Sequence, residues 1–152
     1  MKHRILTLAL LLSISITSIF ANPGNDVVKN YKAANAFKKE FTQAQDVKWE
    51  ESRDFSKATF KLNDQVMVAY YSSTGEFLGV TRNITTSQLP LNLLNDVKKN
   101  HSEAWITDLF EITTNAETSY YITLEDADQT LVLKSSGAYG WSTFKKEKKS
   151  AQ

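Results

Sequence analysis

Two stretches decide how this chain is built: VAYYSSTGEFLG at 68–79 and VLKSSGAYGW at 132–141. Each is an apolar run with strand character, followed by two serines, a glycine within two residues, and a second run carrying an aromatic. A short loop of this kind needs one residue with positive φ, which glycine adopts without steric cost. SSTG and SSG therefore read as one structural corner made twice.

Working outward, the same doubling extends upstream. Phe37, Phe41 and Trp49 are matched by Leu93, Val97 and Trp105, each 56 residues later, while Gly75 is matched by Gly137, 62 residues later. Two copies with one insertion account for this, the insertion lying at a strand end or hairpin, where it costs least. Repeat one spans about 27–86 and repeat two about 87–145.

Each copy opens with a helix. Val27, Tyr31, Ala34, Phe37 or Ala36, and Phe41 follow three-and-four spacing, one apolar stripe with Lys32, Lys38, Lys39 and Glu40 mostly turned outward. TSQLP at 86–90 announces the second helix, with Ser87 as capping candidate and Pro90 in the first turn. Leu93, Leu94 and Val97 share a face, and Asn100 closes it. Alternating segments follow each helix as a β-meander, with turns at Asn63–Asp64 and at 126–128. The expected fold is α+β: a tandem repeat of one helix plus a four-stranded antiparallel sheet. The helices lie on one face and an open, concave sheet face is left on the other.

Registering the copies on their glycines assigns faces. Leu131 and Leu133 share one side; Val132 and Lys134 share the other, and an unpaired lysine is not buried. Tyr71 then belongs to the core and Tyr70 to the open face. Trp49 and Trp105, just after their helices, read as core pillars. The aromatics are too many for a small two-layer interior, so Tyr70, Tyr121, Tyr139 and Trp141, with Lys134, are the candidate partner-binding set.

Residues 1–21 have the layout of a secretory signal peptide: Lys2 and Arg4, an apolar run from Ile5 to Ile16, and Ala21 before NPGND. That run is too short and too often broken by serine to span a bilayer. Removing it takes two of 18 basic residues and none of 17 acidic ones, leaving 16 against 17, a net charge of −1. Nucleic-acid binding is not expected from such a balance. The basic run at 145–149 reads as part of a solvated tail, 146–152. With no cysteine, the chain has no disulfide and no lipoprotein attachment point; the expected location is the periplasm or outside the cell.

Catalytic chemistry is not legible. His101 is the one histidine outside the leader and has no cysteine or second histidine for a zinc site, nor an evident triad partner; it reads as a helix-terminal residue. The carboxylates of EDAD at 125–128 lack the glycine and ligand count of a calcium loop and read as a polar hairpin tip. Glu50 and Glu51 are adjacent on a strand, so they point to opposite faces and cannot flank one substrate. NIT at 83–85 and NHS at 100–102 match the glycosylation acceptor pattern, which matters only in a eukaryotic source. No cofactor, metal or catalytic residue is assigned.

FKKEF at 37–41, AQDVKWE at 44–50, ATF at 58–60, YYSSTG at 70–75 and ITTSQLP at 84–90 together resemble the PepSY-like proteins described as similar to beta-lactamase inhibitory protein. The likeness covers roughly 27–145; the Ser72–Gly75 corner departs from the commoner Asp-containing form. The resemblance implies an exported bacterial protein whose concave face grips a protein, although the inhibitor that gave the group its name is disulfide-bonded. The reading is a non-enzymatic module for a protein or peptide, an inhibitor or modulator of a hydrolase or peptidase. The alternative is a periplasmic carrier of a small ligand or peptidoglycan fragment in the cleft between repeats.

Overall fold

The structure, a computed structural model, describes residues 29–149. The proposed signal peptide, Val27 and the last three residues lie outside that range. The elements run α1 (Tyr31–Glu40), β1 (Gln45–Glu51), β2 (Phe55–Leu62), β3 (Gln65–Ser72) and β4 (Phe77–Asn83). A 3-10 turn (Thr86–Gln88) leads to α2 (Leu91–Asn100), β5 (Trp105–Thr113), β6 (Thr118–Glu125), β7 (Gln129–Ser136) and β8 (Ser142–Lys148). The eight strands form one antiparallel sheet in sequence order, open at β1 and β8. The fold is α+β, as expected, with one continuous sheet.

Cross-strand register fixes the two faces. Ala58 stands opposite Ala69, Ala69 opposite Val80, and Val80 opposite Thr113; Leu109 stands opposite Ile122, and Ile122 opposite Leu133. Side chains directly opposed share a face, so both rows lie on one side. Both helices cover that side. Ala33 and Phe37 of α1 pack on Ala58, Phe60, Ala69 and Tyr71, while Val97 of α2 packs on Leu109, Ile122, Leu124 and Leu133. Phe37 centres the first core, with Phe60 at 4.9 Å and Trp49 at 5.5 Å, both edge-on.

The doubled corner acquires a reason here. Gly75 has φ 86°, and a Cβ on it would stand 2.4 Å from the Lys32 Cβ and 2.9 Å from the Ala33 backbone nitrogen. The first corner is thus pressed against the start of α1. The Asn30 side chain fixes it there: its Oδ1 caps the Ala33 N–H at 3.1 Å, and its Nδ2 donates to the Ser72 carbonyl and the Ser56 hydroxyl, both at 3.1 Å. In the second corner Asn92 of α2 donates to the Ala138 carbonyl, and the Trp141 Nε1–H donates to the Leu93 carbonyl at 3.0 Å. Each corner braces the first turn of a helix.

Three local expectations change. Ser87 does not cap α2; it belongs to the 3-10 turn, its hydroxyl 2.8 Å from that of Thr85. Leu89 is extended (φ −68°, ψ 146°), the bias a following proline imposes, and Pro90 itself takes the N-cap position. Lys145 to Lys148 are no frayed tail: they pair as β8 along β7. Trp105 is no core pillar. It is the first residue of β5, before an irregularity between Ile106 and Asp108, and Leu109 takes the place beneath α2 that Trp49 takes beneath α1.

Candidate recognition face

The face opposite the helices is carried by alternate residues of the strands. Lys57 stands opposite Tyr70 and Tyr70 opposite Gly79; Thr81 stands opposite Ile112 and Ile112 opposite Ser119; Phe110 stands opposite Tyr121 and Tyr121 opposite Lys134. Alternation in β3 thus sends Tyr71 to the core and Tyr70 to this side, as the glycine register predicts. It does the same in β7, where Leu133 faces α2 and Lys134 faces away.

This side carries an aromatic floor. Phe110 and Tyr121 lie ring on ring, centroids 5.1 Å apart and planes 4° from parallel. Phe144 meets Tyr121 edge-on at 5.5 Å, and the Lys134 ammonium stands 5.6 Å above the Tyr121 ring. Phe110 and Tyr121 are only 2% and 7% exposed, although no described helix lies over them. Ladder irregularities with an extra residue in β1, β4, β5 and β8 increase local twist and bend the strands, which draws side chains of one face onto each other. In the first half Tyr70 is 8% exposed, its ring 5.9 Å from that of Phe55. Burial pushes its phenol up, opposed by a hydrogen bond with Thr81 and reinforced by Glu50.

The candidates from sequence therefore divide. Tyr121 and Lys134 touch, and Tyr70 lies on the same face in the other half. Tyr139 stands 97% exposed at the β7–β8 corner, against Gly137. Trp141 lies on the helix side, packed against the α2 core and bonded to Leu93.

Trp105 is the residue that sequence reasoning misplaced. It pairs with Glu125, whose alternation with Tyr121 puts it on the helix-free side, and it is 79% exposed. Two residues beyond the irregularity, Asp108 and Phe110 share that side. Burial raises the Asp108 carboxyl above the usual range, and a hydrogen bond from the Leu109 amide partly opposes this. The signal that would have found Trp105 is a bulge, and a bulge has no reliable sequence mark. The helix-free side thus carries a buried aromatic floor, serine and threonine hydroxyls between its halves, and a large exposed indole, Trp105. The cluster of acids at the β6–β7 turn is spent internally, with Asp126 Oδ1 accepting from the Asp128 and Gln129 amides at 2.8 and 2.9 Å.

Solved structures from Bacteroides share this fold. A BLIP-like protein of Bacteroides fragilis superposes with a TM-score of 0.66 at 15% identity, over 78% of this chain and 84% of that one. The chain shares the fold of the BLIP-like proteins. Two DUF2874 family proteins have it as well: that of Bacteroides ovatus at TM-score 0.67 and 14% identity, covering 84% of this chain and 88% of its own, and that of Bacteroides uniformis at 0.67 and 12%, covering 77% and 87%. No protein-family model and no curated protein matches the sequence. At such identities the BLIP-like likeness is one of backbone architecture.

Proposed function

We propose that this chain is an exported, non-enzymatic binding module that takes a protein or peptide against the helix-free face of its sheet. The observation that carries the reading is Trp105: a largely exposed indole on the same face as the stacked Phe110 and Tyr121. Exposed aromatics beside a rigid apolar floor are the usual anchors of recognition, because they bury much area at little entropic cost. Tyr70, Tyr121 and Lys134 contribute the floor and its charge, and Tyr139 an outlying contact. Trp141 serves the scaffold. The signal-like leader supports export, and the BLIP-like architecture favours occlusion of an enzyme's surface over catalysis, with a hydrolase or peptidase as target.

The surface arises by duplication in this reading, with a period of sixty. The helices begin at Tyr31 and Leu91, and the strands after them at Gln45 and Trp105, each followed by a ladder irregularity. On that spacing Trp105 answers to Gln45 and Leu109 to Trp49. The carrier alternative has less in its favour. On the helix side, the β4–β5 seam between the halves holds the Arg82–Glu111 ion pair, with Gln65 bonded to Arg82 at 2.9 Å.

The test is capture from an extract of the source organism on immobilised protein. Trp105→Ala should reduce recovery of a specific partner at least tenfold with an unchanged melting temperature, while Leu91→Ala on α2, an exposed helix-side residue, leaves recovery intact. Capture indifferent to Trp105→Ala and to a charge placed on the same face by Val68→Glu, opposite Thr81, removes the face from the function.

A further inference from the structure

A second surface lies on the helix side, at the β1 edge of the sheet. A groove of about 520 Å³ runs between α1 and β1. Tyr31, Ala34 and Lys38 line its helix wall at three- and four-residue steps, Val47 and Trp49 its strand wall, and Phe41 its end. Beside it, β1 is an edge: among the described residues it pairs with β2 alone. An edge strand presents unpaired N–H and C=O groups to whatever lies alongside.

The molecule itself shows what such a slot accepts. The strand that follows α2 is β5, and β4 lies against it in antiparallel register, with Val80 and Arg82 on the helix side and Arg82 paired to Glu111. The strand that follows α1 has no described neighbour there. Charge sets the difference between the two slots. Glu51 of β1 is engaged by the Ser56 hydroxyl at 2.9 Å and the Asn30 amide, so the open charge at this groove is the cation Lys38. A second copy of β1 fits poorly. Antiparallel pairing about Trp49 sets Val47 against Glu51, and pairing about Glu50 sets that carboxylate against its own copy, which is unfavourable.

We propose that this groove binds an extended peptide segment of a partner, which adds a strand to β1 and places a large apolar side chain over Ala34 and an acidic one beside Lys38. Main-chain hydrogen bonds would supply affinity and the alternate side chains selectivity, as in other strand-addition complexes.

The probe is a displayed library of nine-residue peptides, selected on the full chain and followed by synthesis of the enriched sequences. The proposal expects enriched peptides that alternate apolar residues and carry an acid at one fixed place. Methylating their amides should abolish binding at alternate positions only. Ala34→Trp, which fills the groove, should weaken binding at least tenfold with the melting temperature retained, and Lys38→Glu should turn the selected acid into a base. Absence of enrichment overturns the proposal, as do binders indifferent to both variants. Binders lost in Trp105→Ala instead would belong to the other face. A dimer in light scattering that Ala34→Trp converts to monomer assigns the groove to a second copy, and also overturns it.

Discussion

Gly75 and Gly137 close equivalent-looking corners under different constraints. Both have positive φ, but a side chain at 75 meets helix backbone, whereas one at 137 meets only the movable ring of Tyr139, at 3.2 Å. Gly75→Ala should cost about 2–4 kcal/mol, from left-handed strain plus displacement of α1. Gly137→Ala should cost about 1 kcal/mol, from conformation alone. Urea unfolding of the two variants checks the difference; equal losses would mean that the first corner does not bear on the helix. Asp108 makes a second prediction. Burial raises its carboxyl in the folded state, so the folded protein holds that proton more readily than the unfolded chain. Its favourable contribution is complete below the ordinary carboxylate value of about 3.9 and is lost as pH rises through the raised folded value. Asp108→Asn should therefore melt higher than the parent near pH 7, with the gap closing toward about pH 3. A gap that widens on acidification would contradict the assignment of burial as the cause.

Among elements, the junction of corner and helix is where stability concentrates. Helices of ten residues are too short to persist by propensity and depend on their packed face and their ends. For α1 the end is held by Asn30, and Asn30→Ala should cost about 1–2 kcal/mol, since a cap is lost together with the tie to Ser72. In α2 the N-cap is Pro90, with no side-chain cap; the first turn is tied instead through the Leu93 carbonyl, which accepts from the Trp141 indole N–H. Trp141→Phe keeps most of the packing and removes one hydrogen bond, for about 1 kcal/mol. Amide exchange should quicken in the first turn of α2 and remain unchanged in α1. Exchange that rises equally in both helices would show that the indole stabilises the sheet as a whole.

At the scale of the whole molecule, two cores share one sheet. They meet at β4 and β5, where the ladder has four register pairs, Val80–Thr113 to Asn83–Phe110, joined on the helix side by Arg82 and Glu111. A continuous ladder couples the halves, and thermal unfolding should show one transition by both tryptophan fluorescence and circular dichroism. Glu111→Ala, which leaves Arg82 with Gln65, should lower that transition and broaden it toward two steps; a parent protein that already melts in two would mean the seam does not transmit. The edges are handled unequally. β8 carries Lys145, Lys146 and Lys148, a charged border of the kind that opposes edge-to-edge association. β1 has mixed charge, a bulge and the groove beside it.

The sequence by itself determined the period-two and period-3.6 patterns, and with them the order of elements, the helix stripe through Phe37, the turn at Asn63–Asp64 and the opposite facing of Tyr70 and Tyr71. Those depend on neighbours a few residues away, and alternation survives an error of two or four in matching one half to the other. Tertiary structure decided the rest. A ladder irregularity moved Trp105 out of the core, a helix carbonyl drew Trp141 away from the open face, and lateral crowding buried Tyr70 and Tyr121 on a side that no described helix covers. Each of these turns on what stands across a strand or under a helix, and such distances are set only when the chain closes on itself.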